Sequence, residues 1–143
     1  MSEIVFLSYS FKDIRRVRRL RVALQLHGLT VWPDHMPTPG TPAWKAQVKE
    51  RLTEAACIIA ILSNDTLDSR WAMYALEYAQ ENGIPILPVL VDGNPGHILL
   101  VDLKGEDWFD LRWSRNYVTE VRSLVSMIQF HANTDQITVE INS

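Results

Sequence analysis

The segment that most constrains the fold of this chain is 56–62, which contains no polar side chain. A strand with one face in water alternates apolar and polar residues, whereas a strand covered on both faces is apolar throughout. The segment therefore predicts a central strand with helices packed on both of its faces. Strands of this kind belong to parallel sheets, whose crossover helices cover the two faces.

Helical and strand patterns alternate along the rest of the chain. Apolar residues spaced three or four positions apart predict helices over 13–27, 43–55, 68–82 and 116–131. Short apolar runs predict further strands over 4–8, 29–32, 84–91 and 107–111. Pro85 and Pro88 indicate that the fourth strand is irregular or near an edge of the sheet. This alternation predicts a three-layer α/β fold with a five-stranded parallel sheet.

The length of 143 residues fits a single domain. We assign residues 1–131 to this domain and residues 132–143 to a C-terminal tail. In the tail, Ile137, Val139 and Ile141 alternate with polar residues. That alternation predicts either a short extra strand or a frayed end.

Charge and cysteine content narrow the functional classes. The formal net charge of −3 argues against a general nucleic-acid-binding protein. A cluster of basic residues occurs at the first predicted helix: Lys12, Arg15, Arg16, Arg18, Arg19 and Arg21. A solvated helix face is favoured over a phosphate-binding patch as its explanation. The single cysteine, Cys57, excludes an internal disulfide, and no apolar run reaches the roughly 18 residues of a membrane span. We expect a soluble cytoplasmic protein without membrane or nucleic-acid partners.

Ligands of doubly wound sheets bind at the edge formed by the carboxyl ends of the strands. Polar and aromatic residues follow the predicted strands at this edge. They are Ser8, Tyr9, Ser10 and Phe11 after the first strand, Asp34 and His35 after the second, Ser63 and Asn64 after the third, and Asp92 and Gly93 after the fourth. His35 and His97 have no partner at the spacing of metal ligands, so no metal site is predicted.

Five short motifs occur in a characteristic order. They are Ile4–Ser10 together with Asp13, then 28–34 (GLTVWPD), 40–44 (GTPAW), Ile58–Ser63, and 69–76 (SRWAMYAL). In this order and spacing they resemble the Toll/interleukin-1 receptor (TIR) domain family across residues 4–131. The resemblance implies a flavodoxin-like fold.

Enzymatic members of this family cleave the bond between nicotinamide and ribose in NAD. The resemblance implies that their catalytic glutamate corresponds to the position four residues after Trp71, where this chain has Ala75. It further implies an NAD nucleosidase that releases linear or cyclic ADP-ribose, with NAD as the substrate and with no cofactor or metal. The chain as written is expected to be nearly inactive, because loss of a catalytic carboxylate costs on the order of 10²–10⁴ in rate.

Ala75 therefore looks like the replacement of a glutamate. A deliberate inactivating substitution is the favoured explanation, and a natural pseudoenzyme is the alternative. Glu77 is a poor substitute, because two residues along a helix correspond to a rotation of about 200°.

The resemblance also implies substrate contacts. Trp71 is expected to line the nicotinamide–ribose pocket, with a core tryptophan as the alternative. The other candidate contacts are Ser8, Tyr9, Phe11, Asp34 and Ser63. Asp34 could equally cap the following loop, Tyr9 could equally belong to the core, and Trp44 is expected to pack rather than bind.

Two functions remain open. The first is a bacterial-type TIR effector of antiviral (anti-phage) defence, activated by self-assembly with other TIR domains or by a sensor or downstream effector subunit. The second is a non-enzymatic TIR adaptor that assembles through the loop containing Pro37, Pro39, Gly40 and Pro42. A phospho-receiver domain is disfavoured, because no acidic pair follows the first strand.

Overall fold

The computed structural model describes residues 4–33, 39–96 and 108–142. Within these residues, five strands form one parallel sheet in the order β2-β1-β3-β4-β5. The strands are β1 (Ile4–Ser8), β2 (Thr30–Trp32), β3 (Cys57–Leu62), β4 (Ile86–Leu90) and β5 (Phe109–Asp110). The order changes direction between β1 and β3, as in flavodoxin-like sheets. The predicted three-layer α/β fold with a five-stranded parallel sheet is confirmed.

Four α-helices of the described residues cover the sheet: α1 (Ile14–Leu26), α2 (Pro42–Glu54), α3 (Arg70–Glu81) and α4 (Tyr117–Asn142). Hydroxyl caps fix the starts of two of them. The hydroxyl of Thr41 accepts a hydrogen bond from the Trp44 N–H (3.2 Å), and that of Ser69 accepts one from the Ala72 N–H (3.3 Å). Gly28 follows α1 with a φ of +85°, a left-handed conformation that suits glycine and ends a helix.

Two apolar cores lie on opposite faces of the sheet, and β3 contributes to both. All of its residues are buried. Their side chains alternate between the cores: Cys57, Ile59 and Ile61 belong to the core with α1 and α4, and Ile58, Ala60 and Leu62 belong to the core with α2 and α3. This arrangement explains why the segment contains no polar residue.

β4 is a regular strand beside the edge strand β5. Pro88 pairs with Ala60 of β3 and precedes Val89 and Leu90, the residues that pair with β5. The prediction of a strand near an edge is therefore confirmed. The alternative of an irregular strand is wrong, because the pairing with β3 is continuous along β4.

The prediction of a short extra strand in the tail is also wrong. The helix α4 continues across residue 131 to Asn142. Its sequence contains neither glycine nor proline, and extending an existing helix costs far less than starting one. Even so, no helix in the described part of the chain has both the length and the apolarity required to cross a membrane.

Candidate binding site

A cavity of about 390 Å³ lies at the carboxyl end of β1. Its walls come from β1 and α1, from the starts of α2 and α3, and from Pro33 and Pro39. The volume falls within the range of small-molecule sites. The cavity also lies beside the point where the strand order changes direction, where doubly wound folds bind ligands. It is therefore the candidate binding site.

Trp71 forms an aromatic wall of this cavity. Its ring packs edge-on against Trp44, with centroids 5.4 Å apart and an angle of 62° between the planes. Trp44 is buried, lines the same cavity and also packs against Tyr74 at 5.4 Å. Trp71 is partly buried, packs against the core with α2 and α3, and also lines the cavity.

Ala75 lines the cavity one helical turn after Trp71. It is only 2% exposed, so its methyl group is part of a packed apolar wall. Glu77 is exposed on the same helix. Among the described residues that line the cavity, none is acidic. The position at which the family resemblance places a carboxylate is therefore apolar here.

Residues at the end of β1 contribute differently to the site. The Ser8 hydroxyl donates a hydrogen bond to the carbonyl of Ala72 (3.0 Å), which ties β1 to α3 beneath the cavity. Tyr9 lines the cavity and also packs against the core with α1 and α4. Phe11 lines the cavity and is 79% exposed, so its ring is available to a ligand.

Ser63 does not lie in this cavity, contrary to the sequence-based expectation. It is 1% exposed, and its hydroxyl donates a hydrogen bond to the Asp13 carboxylate and accepts one from the Asp65 N–H (3.1 Å). These contacts give Ser63 a role in joining the end of β3 to the start of α1. Asp34 and Pro37 lie outside the described residues.

Gly40 brings the loop before α2 against Trp71. Its φ is +86°, and a Cβ at this position would clash with Cη2 of Trp71 and lie 2.7 Å from Cζ2. Only glycine permits this approach. Pro39 lines the cavity beside it, whereas Pro42 is exposed at the start of α2.

Two arginines in the cavity were not predicted as site residues. Arg18 and Arg21 lie one turn apart on α1 and both line the cavity. The Nε atom of Arg21 is buried and has no hydrogen-bond partner among the described residues. Their spacing of three positions, which places both on one helix face, was the available signal.

The buried carboxyl of Asp13 was also not predicted as a functional group. Burial raises its pKa above the usual range, while the hydrogen bond from Ser63 and the charge of Arg16 offset part of that rise. Asp13 lies at the end of a short 3-10 helix (Phe11–Asp13) that connects β1 to α1.

The fold and the cavity define an α/β domain with an aromatic-walled cavity at the carboxyl end of its sheet. The model of the TIR domain family matches residues 5–125, and the chain belongs to this family. No curated protein matches the chain.

Solved structures similar to this chain include other TIR domains. The TIR domain of the Toll-related receptor TRR-2 from Hydra magnipapillata has 17% identity and a TM-score of 0.70, over 87% of this chain and 97% of that one. The TIR domains of the activated Roq1 resistosome, which recognises the pathogen effector XopQ, have 20% identity and a TM-score of 0.53, over 89% of this chain and 83% of theirs.

The same fold also occurs in a 2-deoxyribosyltransferase from Bacillus psychrosaccharolyticus. It has 18% identity and a TM-score of 0.53, over 73% of this chain and 87% of the transferase. At such identities these likenesses show the fold alone.

The raised pKa of Asp13 predicts a specific pH dependence of stability. The folded state holds the Asp13 proton more tightly than the unfolded chain does. Protonated Asp13 therefore stabilises the fold fully below the pKa that Asp13 has in the unfolded chain, and this stabilisation is lost as pH rises through the pKa that it has in the folded state. Asp13→Asn removes the titration, so its free energy of unfolding should lack this decline. Urea denaturation of both proteins from about pH 4 to about pH 8 measures the difference.

Ser63→Ala provides a companion measurement. It removes the hydrogen bond that lowers the pKa of Asp13, so the decline in stability should extend to higher pH. Parallel stability curves for the unmodified chain and Asp13→Asn would contradict the assignment.

Gly40→Ala should destabilise the fold through two additive effects. The left-handed backbone costs about 1–2 kcal/mol for a residue with a Cβ, and overpacking against Trp71 adds about 1–3 kcal/mol. Gly28→Ala is the matched control, because Gly28 has a φ of +85° but no atom within 4 Å of the added Cβ. Chemical denaturation should give the larger loss for Gly40→Ala, and equal losses would exclude the clash with Trp71.

Proposed function

We propose that this cavity is the NAD site of a TIR effector and that Ala75 leaves it able to bind the dinucleotide but not to cleave it. The observation that carries the proposal is the placement of Trp71 and Ala75 on one wall of a cavity with no described acidic residue. Trp71 supplies the aromatic surface for the nicotinamide end of the ligand. Ala75 stands where the enzymatic members of the family have their glutamate.

The chemistry of NAD cleavage explains why this position matters. When the bond between nicotinamide and C1′ of ribose breaks, nicotinamide leaves with the bonding electron pair and positive charge develops on the sugar. A fixed carboxylate in a partly dry cavity stabilises that charge. Water then attacks C1′ to give linear ADP-ribose, or a nucleophile within ADP-ribose attacks it to give a cyclic product. A methyl group cannot supply the stabilisation.

The cationic side of the cavity supports a phosphate-bearing ligand. Arg18 and Arg21 line it from α1, and the buried Nε of Arg21 lacks an acceptor among the described residues. Guanidinium groups bind phosphate through charge-assisted hydrogen bonds. The diphosphate of NAD would occupy this side while the nicotinamide riboside lies against Trp71.

The proposed biological role is antiviral defence in the cytoplasm, with NAD as the substrate of the glutamate-bearing form. Activation would come from assembly with other TIR domains, or from a sensor or downstream effector subunit. A TIR adaptor without enzymatic activity is the second candidate. A natural alanine at position 75 would favour it, because the residue removes the chemistry and leaves the domain surface unchanged.

Restoring the carboxylate tests the enzymatic proposal. Ala75→Glu should accelerate the release of nicotinamide from NAD by about 10²–10⁴ over the unmodified chain. The assay should follow nicotinamide and both forms of ADP-ribose by chromatography, at protein concentrations high enough to promote assembly.

Ala75→Gln is the matched control, because it adds nearly the same volume without the charge. It should bind NAD and remain inactive. If Ala75→Glu folds, binds NAD and is as inactive as Ala75→Gln under assembly conditions, the enzymatic proposal is wrong and the adaptor is favoured. Glu77→Gln in the Ala75→Glu protein should leave the rate unchanged, because Glu77 is exposed on α3.

Arg21→Gln should weaken NAD binding by about tenfold, as expected for the loss of a charge-assisted hydrogen bond. Calorimetric titration with NAD measures the change in affinity. Nicotinamide riboside, which has no phosphate, should bind both proteins equally. Arg15→Gln removes an exposed charge from the same helix and should have little effect. An equal loss of affinity for the riboside would assign Arg21 a structural role instead.

A further inference from the structure

A second cavity, of about 230 Å³, lies at the carboxyl ends of β4 and β5. Its walls come from the other side of α1, from the segment after β4, from the segment after β5 and from the start of α4. It shares no lining residue with the first cavity. A ligand in the second cavity would therefore contact a separate set of residues from those proposed to bind NAD.

Arginines outnumber carboxylates in the lining of this second cavity, and carboxylates from outside the lining, Asp13 and Asp110, pair with two of them. Three arginines line the cavity: Arg16, Arg19 and Arg112. Asp92 is the one acidic residue among the described lining residues. A guanidinium without an ion pair, in a small concave site, favours an anion, because its field is focused within the low-dielectric walls.

The arginines differ in how far their donors are already used. Arg112 makes two hydrogen bonds to the carboxylate of Asp110 (2.9 and 2.8 Å) and one to the carbonyl of Gly93 (3.1 Å), which fixes its position. Arg16 makes a longer contact with Asp13 at 3.4 Å. Arg19 forms no ion pair with any described carboxylate, and its guanidinium lies 3.8 Å from the centre of the Tyr117 ring.

Tyr117 provides an independent indication of a ligand. It lines the cavity and is 9% exposed, and its hydroxyl is buried without a hydrogen-bond partner among the described residues. Buried hydroxyls are normally paired, and an unpaired one in a native fold calls for a group that completes its hydrogen bonding. Burial raises the pKa of Tyr117, so the hydroxyl keeps its proton and can act as a donor.

We propose that this cavity binds the phosphate group of a small phosphate monoester. Arg19 supplies a fork of free N–H donors, Arg112 supplies a fixed one, and the Tyr117 hydroxyl donates a further hydrogen bond. Two N–H groups of one planar guanidinium can donate hydrogen bonds to two oxygens of the same phosphate. This paired geometry favours phosphate over a monovalent ion of similar charge density. The volume is suited to a sugar phosphate and is smaller than that of the first cavity.

Titration with ribose 5-phosphate tests the proposal, with free ribose and sodium chloride of matched ionic strength as controls. Amide NMR shifts should change in a saturable way at Gly93, Leu111 and Tyr117 with ribose 5-phosphate alone. Arg19→Gln should weaken the affinity by about tenfold. Arg15→Gln removes an exposed charge one turn away, outside the lining, and should change it by less than about twofold.

Tyr117→Phe separates a binding role from a structural one. It should weaken ribose 5-phosphate binding by about threefold or more while leaving the Tm unchanged or higher, because it removes a buried hydroxyl that has no described partner. Non-saturable shifts, an equal response to sodium chloride, or equal effects of Arg15→Gln and Arg19→Gln would each overturn the proposal. The same holds if Tyr117→Phe binds as well as the unmodified chain.

Discussion

The burial of β3 on both faces is the constraint on which the rest of the structure depends. Its alternating side chains enter two separate cores, so helices must cover the sheet on both sides. Parallel strands joined by such helices place all of their carboxyl ends along one edge. This geometry brings Ser8 and Ala72, 64 positions apart in sequence, within hydrogen-bond distance beneath the first cavity. The position of the first cavity is thus a consequence of the way the sheet is covered.

The helix α1 forms a wall of both cavities. Its arginines occur in two pairs with a spacing of three positions: Arg18 and Arg21 line the first cavity, whereas Arg16 and Arg19 line the second. Composition alone favoured a solvated helix face for this basic cluster. Arg15, Arg16, Arg18 and Arg19 are indeed exposed, and part of the cluster also lines the cavity on each side of α1. An anionic ligand in either cavity would reduce the repulsion between these charges.

The elements of the fold could be predicted from the sequence because they depend on local patterns. Local patterns predict the apolar strand β3, the helix α1 and the end of that helix before Gly28. Most element bounds differ from the prediction by one or two residues. The destination of a polar side chain depends instead on its neighbours in space. Ser63 follows the central strand, as a ligand-binding serine would, but the buried carboxylate of Asp13 uses its hydroxyl.

The same distinction applies to the parts of the site that were not predicted. The spacing of Arg18 and Arg21 was visible in the sequence, but it did not indicate which cavity the pair would line. The approach of Gly40 to Trp71 joins a loop and a helix at residues 31 positions apart along the chain, so no local pattern encodes it. The length of α4 was missed because a brief alternation in the tail was given more weight than the absence of glycine and proline.

The charge balance of the first cavity connects Ala75 to binding. A glutamate at this position would place a carboxylate beside the apolar wall formed with Trp71. Desolvation of the carboxylate would lower the stability of the fold, as catalytic residues commonly do. In the proposed arrangement that carboxylate would lie beside the cationic nicotinamide riboside, whereas Arg18 and Arg21 would face the phosphates. With alanine, both arginines face a cavity whose described lining contains no acidic residue. Arg18 and Arg21 therefore give the described lining a positive charge, which favours an anionic ligand.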